Sequence, residues 1–196
     1  MDSARSSAER AAASTKIVIA GGFGVGKTTL VGSVSEIQPL RTEALVTNES
    51  EGVDDLAAVP SKATTTVAMD FGRITLEEDL VLYLFGTPGQ RRFWFMWDDL
   101  CLGAIGAIVL VDTARLDEAF APLDYFENKG LPFIVAVNLF DGAQRYDLEE
   151  IRAALAIPAH VPMMNIDARS RESAKEALIM VTEYSLTTLM DQVSVG

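Results

Sequence analysis

The run Gly21-Gly22-Phe23-Gly24-Val25-Gly26-Lys27-Thr28 constrains this chain more than any other feature. It fits G-x-x-x-x-G-K-[ST], with an apolar run of strand length at 16–20 before it and an amphipathic stretch at 28–37 after it. A loop this rich in glycine can turn its backbone N–H groups inward around phosphate oxygens. The following helix adds the positive end of its dipole. Lys27 offers a charge to the outer phosphates and Thr28 a hydroxyl to Mg2+, so the pattern implies a nucleoside di- or triphosphate ligand.

Apolar runs of strand length recur at 80–85, 107–111, 133–137 and 163–166. Each is followed by a longer amphipathic stretch, at 93–102, 116–128, 148–155 and 173–190. Strand-helix alternation with nearly continuous apolar strands predicts an α/β fold, doubly wound, around a mostly parallel sheet buried on both faces. Residues 64–74 are β-branched and alternating. They predict an extra strand at the sheet edge, paired with 80–85 through a turn at 74–79, for six strands in all. Residues 1–14 read as a mobile tail before a single domain at 15–196. The segment 39–60, with Glu43, Glu49, Glu51, Asp54 and Asp55, reads as a mobile acidic loop.

Sixteen basic against twenty-eight acidic residues give a net charge of −12. A non-specific grip on nucleic acid or anionic lipid is therefore not expected, and any phosphate must be held locally. One cysteine, Cys101, and one histidine, His160, leave no internal disulfide and no zinc cluster, which points to a reducing compartment. No apolar run reaches the roughly 18 residues of a membrane span. The last residues carry no prenylation cysteine, and Asp2 excludes N-myristoylation. The expected location is the cytoplasm, with any membrane recruitment through a partner.

Further motifs lie at the ends of the expected strands. Gly86-Thr87-Pro88-Gly89-Gln90 resembles the D-T-A-G-Q switch segment of Ras-like small GTPases, Asn138-Leu139-Phe140-Asp141 resembles their N-K-x-D motif, and Asp167-Ala168-Arg169 resembles S-A-K. The closest flavour is the bacterial mutual-gliding-type branch, in particular the GTPases of actinobacterial conservons, which are similar in having P-G-Q and no lipidation tail. The resemblance covers roughly residues 15–192. It implies GTP or GDP and Mg2+ as ligands, slow GTP hydrolysis, and a nucleotide-dependent switch in bacterial signalling beside a roadblock/LC7-type protein and a sensor kinase. It carries nucleotide contacts to Gly22, Phe23, Gly24, Val25, Gly26, Lys27, Thr28 and Thr29. Thr66, with Thr64 and Thr65 as competitors, would join Thr28 on Mg2+. Gly89 would donate its N–H to the γ-phosphate and Gln90 would orient the attacking water. Asp141 would accept from guanine, Asn138 would tie the guanine loop to the phosphate loop, and the Ala168 N–H would meet guanine O6.

Four departures from that pattern bear on function. Gly86 stands where an Asp normally holds Mg2+ through water. Phe23 puts a bulky side chain where a trans arginine finger would pass. Leu139 replaces a lysine, and Arg169 replaces the lysine of S-A-K with a group able to stack on guanine. These losses keep open a second reading, a pseudo-GTPase that scaffolds a signalling complex without appreciable hydrolysis. A P-loop kinase or ATPase would want an acidic residue ending the switch strand, and Gly86 ends it. Lys62, Arg91 and Arg92 are the candidate cis cations, although most surface Arg and Lys are only solvated. The cluster 93–97, four aromatics and a methionine, exceeds what one helix face can bury; part of it is expected at the surface as a protein contact.

Overall fold

The structure is a computed structural model that describes residues 13–38, 40–47, 64–77 and 80–194; the side chains of 40–47, 64–68, 91–92 and 192–194 fall outside that description. Seven described strands form one sheet: β1 (Ala13–Gly21), β2 (Leu40–Thr47), β3 (Thr64–Glu77), β4 (Leu80–Gly86), β5 (Gly106–Val111), β6 (Phe133–Asn138) and β7 (Met163–Ile166). Their spatial order is β2-β3-β4-β1-β5-β6-β7. The pairings from β4 to β7 are parallel, and those of β3 with β2 and β4 are antiparallel.

The apolar runs are continuous because both faces are covered. Ile17, Ile19, Leu84, Ile108, Leu110 and Ile134 face one buried cluster with α1 (Lys27–Val34) and α5 (Arg171–Ser194). Their alternates Val18, Ala20, Val109, Val111, Val135 and Val137 face the other, packed under α2 (Trp97–Cys101), α3 (Phe120–Lys129) and α4 (Leu148–Ala154). Each fully buried Ile, Leu or Val contributes on the order of 1.5–3 kcal/mol, so this double layer holds the sheet rigid beneath its loops. Parallel strands end at a common edge, which is where open α/β sheets bind ligands.

All six expected strands are present, and β2 is a seventh. It occupies the first part of the segment read as an acidic loop, so β3 is not the sheet edge. Thr42, Val46 and Thr47 favour extended backbone, and the ladder to β3 satisfies their main-chain groups; the interspersed Glu43 had hidden that pattern. Ala13 and Ser14, expected in the tail, instead begin β1 and pair with Leu80 and Val81 of β4; residues 48–63, the rest of that loop with Lys62, and 1–12 lie outside the described residues. The stretch 93–102 is a 3-10 helix, Arg91–Met96, running into the short α2. Phe93 and Trp97 are buried four positions apart, whereas Phe95 is 62% exposed. Cys101 is buried core, and His160 borders a surface cavity with Pro158 and Tyr184, away from the strand ends described below. Among the described residues no helix is long and apolar enough to cross a membrane.

Candidate functional site

β1 ends at Gly21, and the loop 22–26 leads directly into α1. Gly26 has φ +108°, and a Cβ there would stand 2.6 Å from Asn138 Nδ2. Only glycine tolerates both the left-handed backbone and that approach. Lys27, 8% exposed, folds back over the loop. Its ammonium donates to the carbonyls of Gly21 at 2.9 Å and Gly22 at 2.6 Å. Burial pulls its pKa down to about 8, with Asp70 and Glu118 opposing the shift and Arg115 adding to it. Gly89 lies against the same ammonium: a Cβ on it would be 2.9 Å from Lys27 Nζ and 2.9 Å from Phe23 Cα. The turn 86–90 therefore rests on the phosphate loop. It is fixed from below by fully buried Trp97, whose Nε1 donates to the Pro88 carbonyl at 3.3 Å. Gln90 is exposed at the start of the 3-10 helix, where its carbonyl accepts from the Phe93 N–H.

The missing carboxylate at Gly86 is answered from the neighbouring strand. Asp70 on β3 pairs with Gly86 on β4, and a Cβ on Gly86 would stand 3.0 Å from Asp70 Cβ. Asp70 is 8% exposed and accepts a 2.6 Å hydrogen bond from the Thr28 hydroxyl. Thr87, 2% exposed, has a hydroxyl with no partner among the described residues, while its N–H donates to the Ile19 carbonyl. A buried carboxylate on the Thr28 hydroxyl is a donor set of hard oxygens that fits Mg2+. The sequence predicts that 64–74 pairs with 80–85, but not the register, with its irregularity between Thr75 and Glu77, that sets Asp70 beside Gly86.

Thr66, expected on the metal with Thr28, lies four residues from Asp70 along an extended strand, on the order of 13 Å, and its backbone pairs with Leu45. Thr64 and Thr65 lie farther along the same strand. The side chains of all three, and those of Arg91 and Arg92, lie outside the described residues. Thr29 is exposed on the first turn of α1 and Val25 is buried under the loop. Phe23 is 65% exposed.

A cation that no motif marks, Arg115, reaches the loop. The Arg115 guanidinium, in the 3-10 turn after β5, is held by Asp112 through Nε at 3.0 Å and Nη2 at 2.9 Å, and donates to the Phe23 carbonyl at 2.8 Å. The Asp112 carboxylate, with Glu118 and Asp117 adding to it, holds its pKa above the usual arginine value. Beside it, Glu118 packs against Gly22 and, with Phe23, Gly89, Trp94 and Pro122, borders a cavity of about 170 Å³.

On the other side of the loop, Asn138 ends β6, 5% exposed. Its Nδ2 donates to the Val25 carbonyl at 3.0 Å, and its Oδ1 accepts from the Ala168 N–H at 3.0 Å. One carboxamide thus joins the phosphate loop to the loop after β7. The Ala168 N–H, expected to meet guanine O6, is in this structure engaged on Asn138. Leu139 is half-buried, its N–H on the Ile166 carbonyl. Asp141 is brought to the same corner, where Arg169 grips it and holds its carboxyl below the usual carboxylate range.

Residues 19–188 match the family described as "Conserved hypothetical ATP binding protein". An uncharacterised protein of Methanocaldococcus jannaschii is 32% identical over 130 residues, spanning 64% of this chain and 70% of that protein. Among solved structures, the G-domain of FeoB from Methanococcus jannaschii superposes with a TM-score of 0.56 at 16% identity, covering 87% of this chain and 98% of that one. That likeness establishes the G-domain fold.

Proposed function

We propose that the chain, which belongs to the family described as conserved hypothetical ATP binding proteins, is a nucleotide-dependent switch that binds GTP and GDP with Mg2+ and hydrolyses GTP slowly. That family and the chain's G-domain fold support nucleotide binding, and the guanine assignment rests on Asp141. The observation that carries this reading is the Asn138 carboxamide, bonded at once to Val25 of the phosphate loop and to Ala168. That tie fixes the phosphate loop relative to the corner that carries Asp141.

In this reading the N–H groups of Gly22 to Thr28 surround the phosphates and the third hydrogen of the Lys27 ammonium points to them, its other two being held by Gly21 and Gly22. Thr28 and Asp70 would hold the metal, Asp70 in the part that Gly86 leaves open. Bound Mg2+ would neutralise charge on the departing phosphates. Gly89 donates to the γ-phosphate and Gln90 orients water for in-line attack. For Thr66 to join the metal, the start of β3 must leave β2. That movement is the proposed switch, and it would present a changed surface to a partner. Phe95 is exposed beside the second switch, and a roadblock/LC7-type protein within a sensor-kinase complex is the proposed partner. The proposed location is the cytoplasm.

Titration of the full chain with GDP, GTP and ADP in Mg2+, followed by single-turnover phosphate release, tests this. The expected result is nucleotide binding that is lost in Lys27→Ala, with slow release from GTP. Failure to bind any of the three nucleotides refutes the reading. Binding without release over hours, with or without the partner, supports the scaffold instead, a reading favoured by the bulk of Phe23 in the loop.

A further inference from the structure

Asp141 and Arg169 form a two-bonded ion pair at the strand ends. Arg169 Nη1 donates to Asp141 Oδ2 at 2.6 Å, and Nη2 to Oδ1 at 3.0 Å. Its Nε and Nη2 also donate to Asp167, both at 2.9 Å. Both oxygens of Asp141 therefore accept from one planar two-donor fork. The remaining polar groups of the corner are also engaged: the Ala168 N–H on Asn138, and the Arg169 N–H on Asp167 at 2.9 Å.

The chemistry of the fork is specific. The N1–H, C2 and 2-amino group of guanine are themselves a guanidine fragment, offering a carboxylate two parallel N–H donors. The Arg169 side chain offers the same pair to the same carboxylate. Adenine has an acceptor at N1 and no 2-amino group, so it has no such fork to exchange.

We propose that Arg169 is an internal competitor for guanine: it occupies Asp141 when the base site is empty and must swing away before guanine can be read. This deepens the proposed function and rests on it. Arg169 is half-exposed and Asp141 largely so, which leaves room for the exchange. The consequence is a penalty on guanine alone. Apparent affinity falls by the fraction of molecules whose carboxylate is free, while adenine nucleotides, anchored by the phosphate loop, escape it. Arg169 thereby lowers guanine-over-adenine selectivity and links base binding to movement of the loop after β7.

The test is a calorimetric titration of the full-length wild type, Arg169→Ala and Arg169→Gln with GDP and with ADP in Mg2+. In both variants GDP should tighten about two- to fivefold while ADP changes less than about 1.3-fold. Asp141→Asn should cost GDP affinity more in the Arg169→Ala background than in the wild type. Weaker GDP binding by Arg169→Ala overturns the proposal and makes the guanidinium a stacking platform for the base. An equal shift for both nucleotides, or an unchanged ratio, overturns it while leaving nucleotide binding intact. If the wild type and both variants bind neither nucleotide, the proposed function fails and this inference with it. Thermal unfolding of Arg169→Gln alongside Arg169→Ala separates a change in fold from a change in selectivity.

Discussion

Raising the pH from 7 to 8.5 should weaken nucleotide binding about fourfold and draw a proton into the complex, because of Lys27. Its ammonium is buried under Gly89 and the loop, and burial brings its pKa to about 8. On that value about 0.9 of the free chains carry the charge at pH 7, about 0.5 at pH 8 and about 0.25 at pH 8.5. A polyphosphate favours the charged form and returns the group toward the ordinary lysine range. Binding should then take up about 0.1, 0.5 and 0.75 proton at those three pH values. Calorimetry with ADP in pairs of buffers that differ in ionisation enthalpy reads this uptake directly; the phosphates themselves titrate lower. The sign is opposite for the free protein. A lysine with a depressed folded pKa opposes folding fully below about pH 8, and that penalty is relieved as pH rises toward the unfolded value of 10.5. Removing the Asp70 charge with Asp70→Asn should lower the Lys27 pKa further and increase uptake at pH 7. No uptake at pH 8.5, or uptake unchanged by Asp70→Asn, would refute this account of the ammonium.

Asp70→Ala should reduce nucleotide affinity in Mg2+ about tenfold, with little change in EDTA. Gly86→Asp alone should destabilise the fold by about 2–4 kcal/mol, because two buried carboxylates would share one place, and Gly86→Asp with Asp70→Gly should restore both urea midpoint and metal response. If the double variant is no better than either single one, the two positions are not interchangeable. Asn138→Ala leaves the Val25 carbonyl and the Ala168 N–H unpaired. It should cost about 2–4 kcal/mol in denaturant unfolding; a cost under about 0.5 kcal/mol would show that the tie is not formed. Phe95→Ser, on an exposed ring, should leave the urea midpoint within about 0.5 kcal/mol while weakening capture of the roadblock-type partner.

Much of the architecture was legible. The phosphate loop reads from its spacing alone, because glycine, lysine and threonine act there through backbone geometry that a few consecutive residues dictate. The parallel strands read from continuous runs such as 107–111 and 133–137, since a strand covered on both faces has no polar alternates. β2 was obscured because one acidic position in a surface strand resembles a solvated loop, and only its ladder to β3 marks it as sheet. At 93–97 the sequence placed part of the aromatic cluster at the surface, but which residue emerges depends on the 3-10 geometry that buries Phe93 and Trp97 and leaves Phe95 out.

By itself the chain determined a phosphate-cradling turn between a strand and a helix, the sheet that holds it, and the presence of Asn138 and Asp141 at a strand end. The tie from Asn138 to the phosphate loop follows the resemblance, but tertiary structure alone decided the other contacts. Asp70 stands beside Gly86 through the antiparallel register of β3 and β4, which shifts at an irregularity between Thr75 and Glu77; a slip of one residue would turn Asp70 to the opposite face. Arg115 reaches Phe23 from 92 positions away, and Arg169 reaches Asp141 from 28. Local propensity is written in neighbouring residues, whereas such pairings depend on how separate elements are aligned, and only the packed sheet sets that alignment.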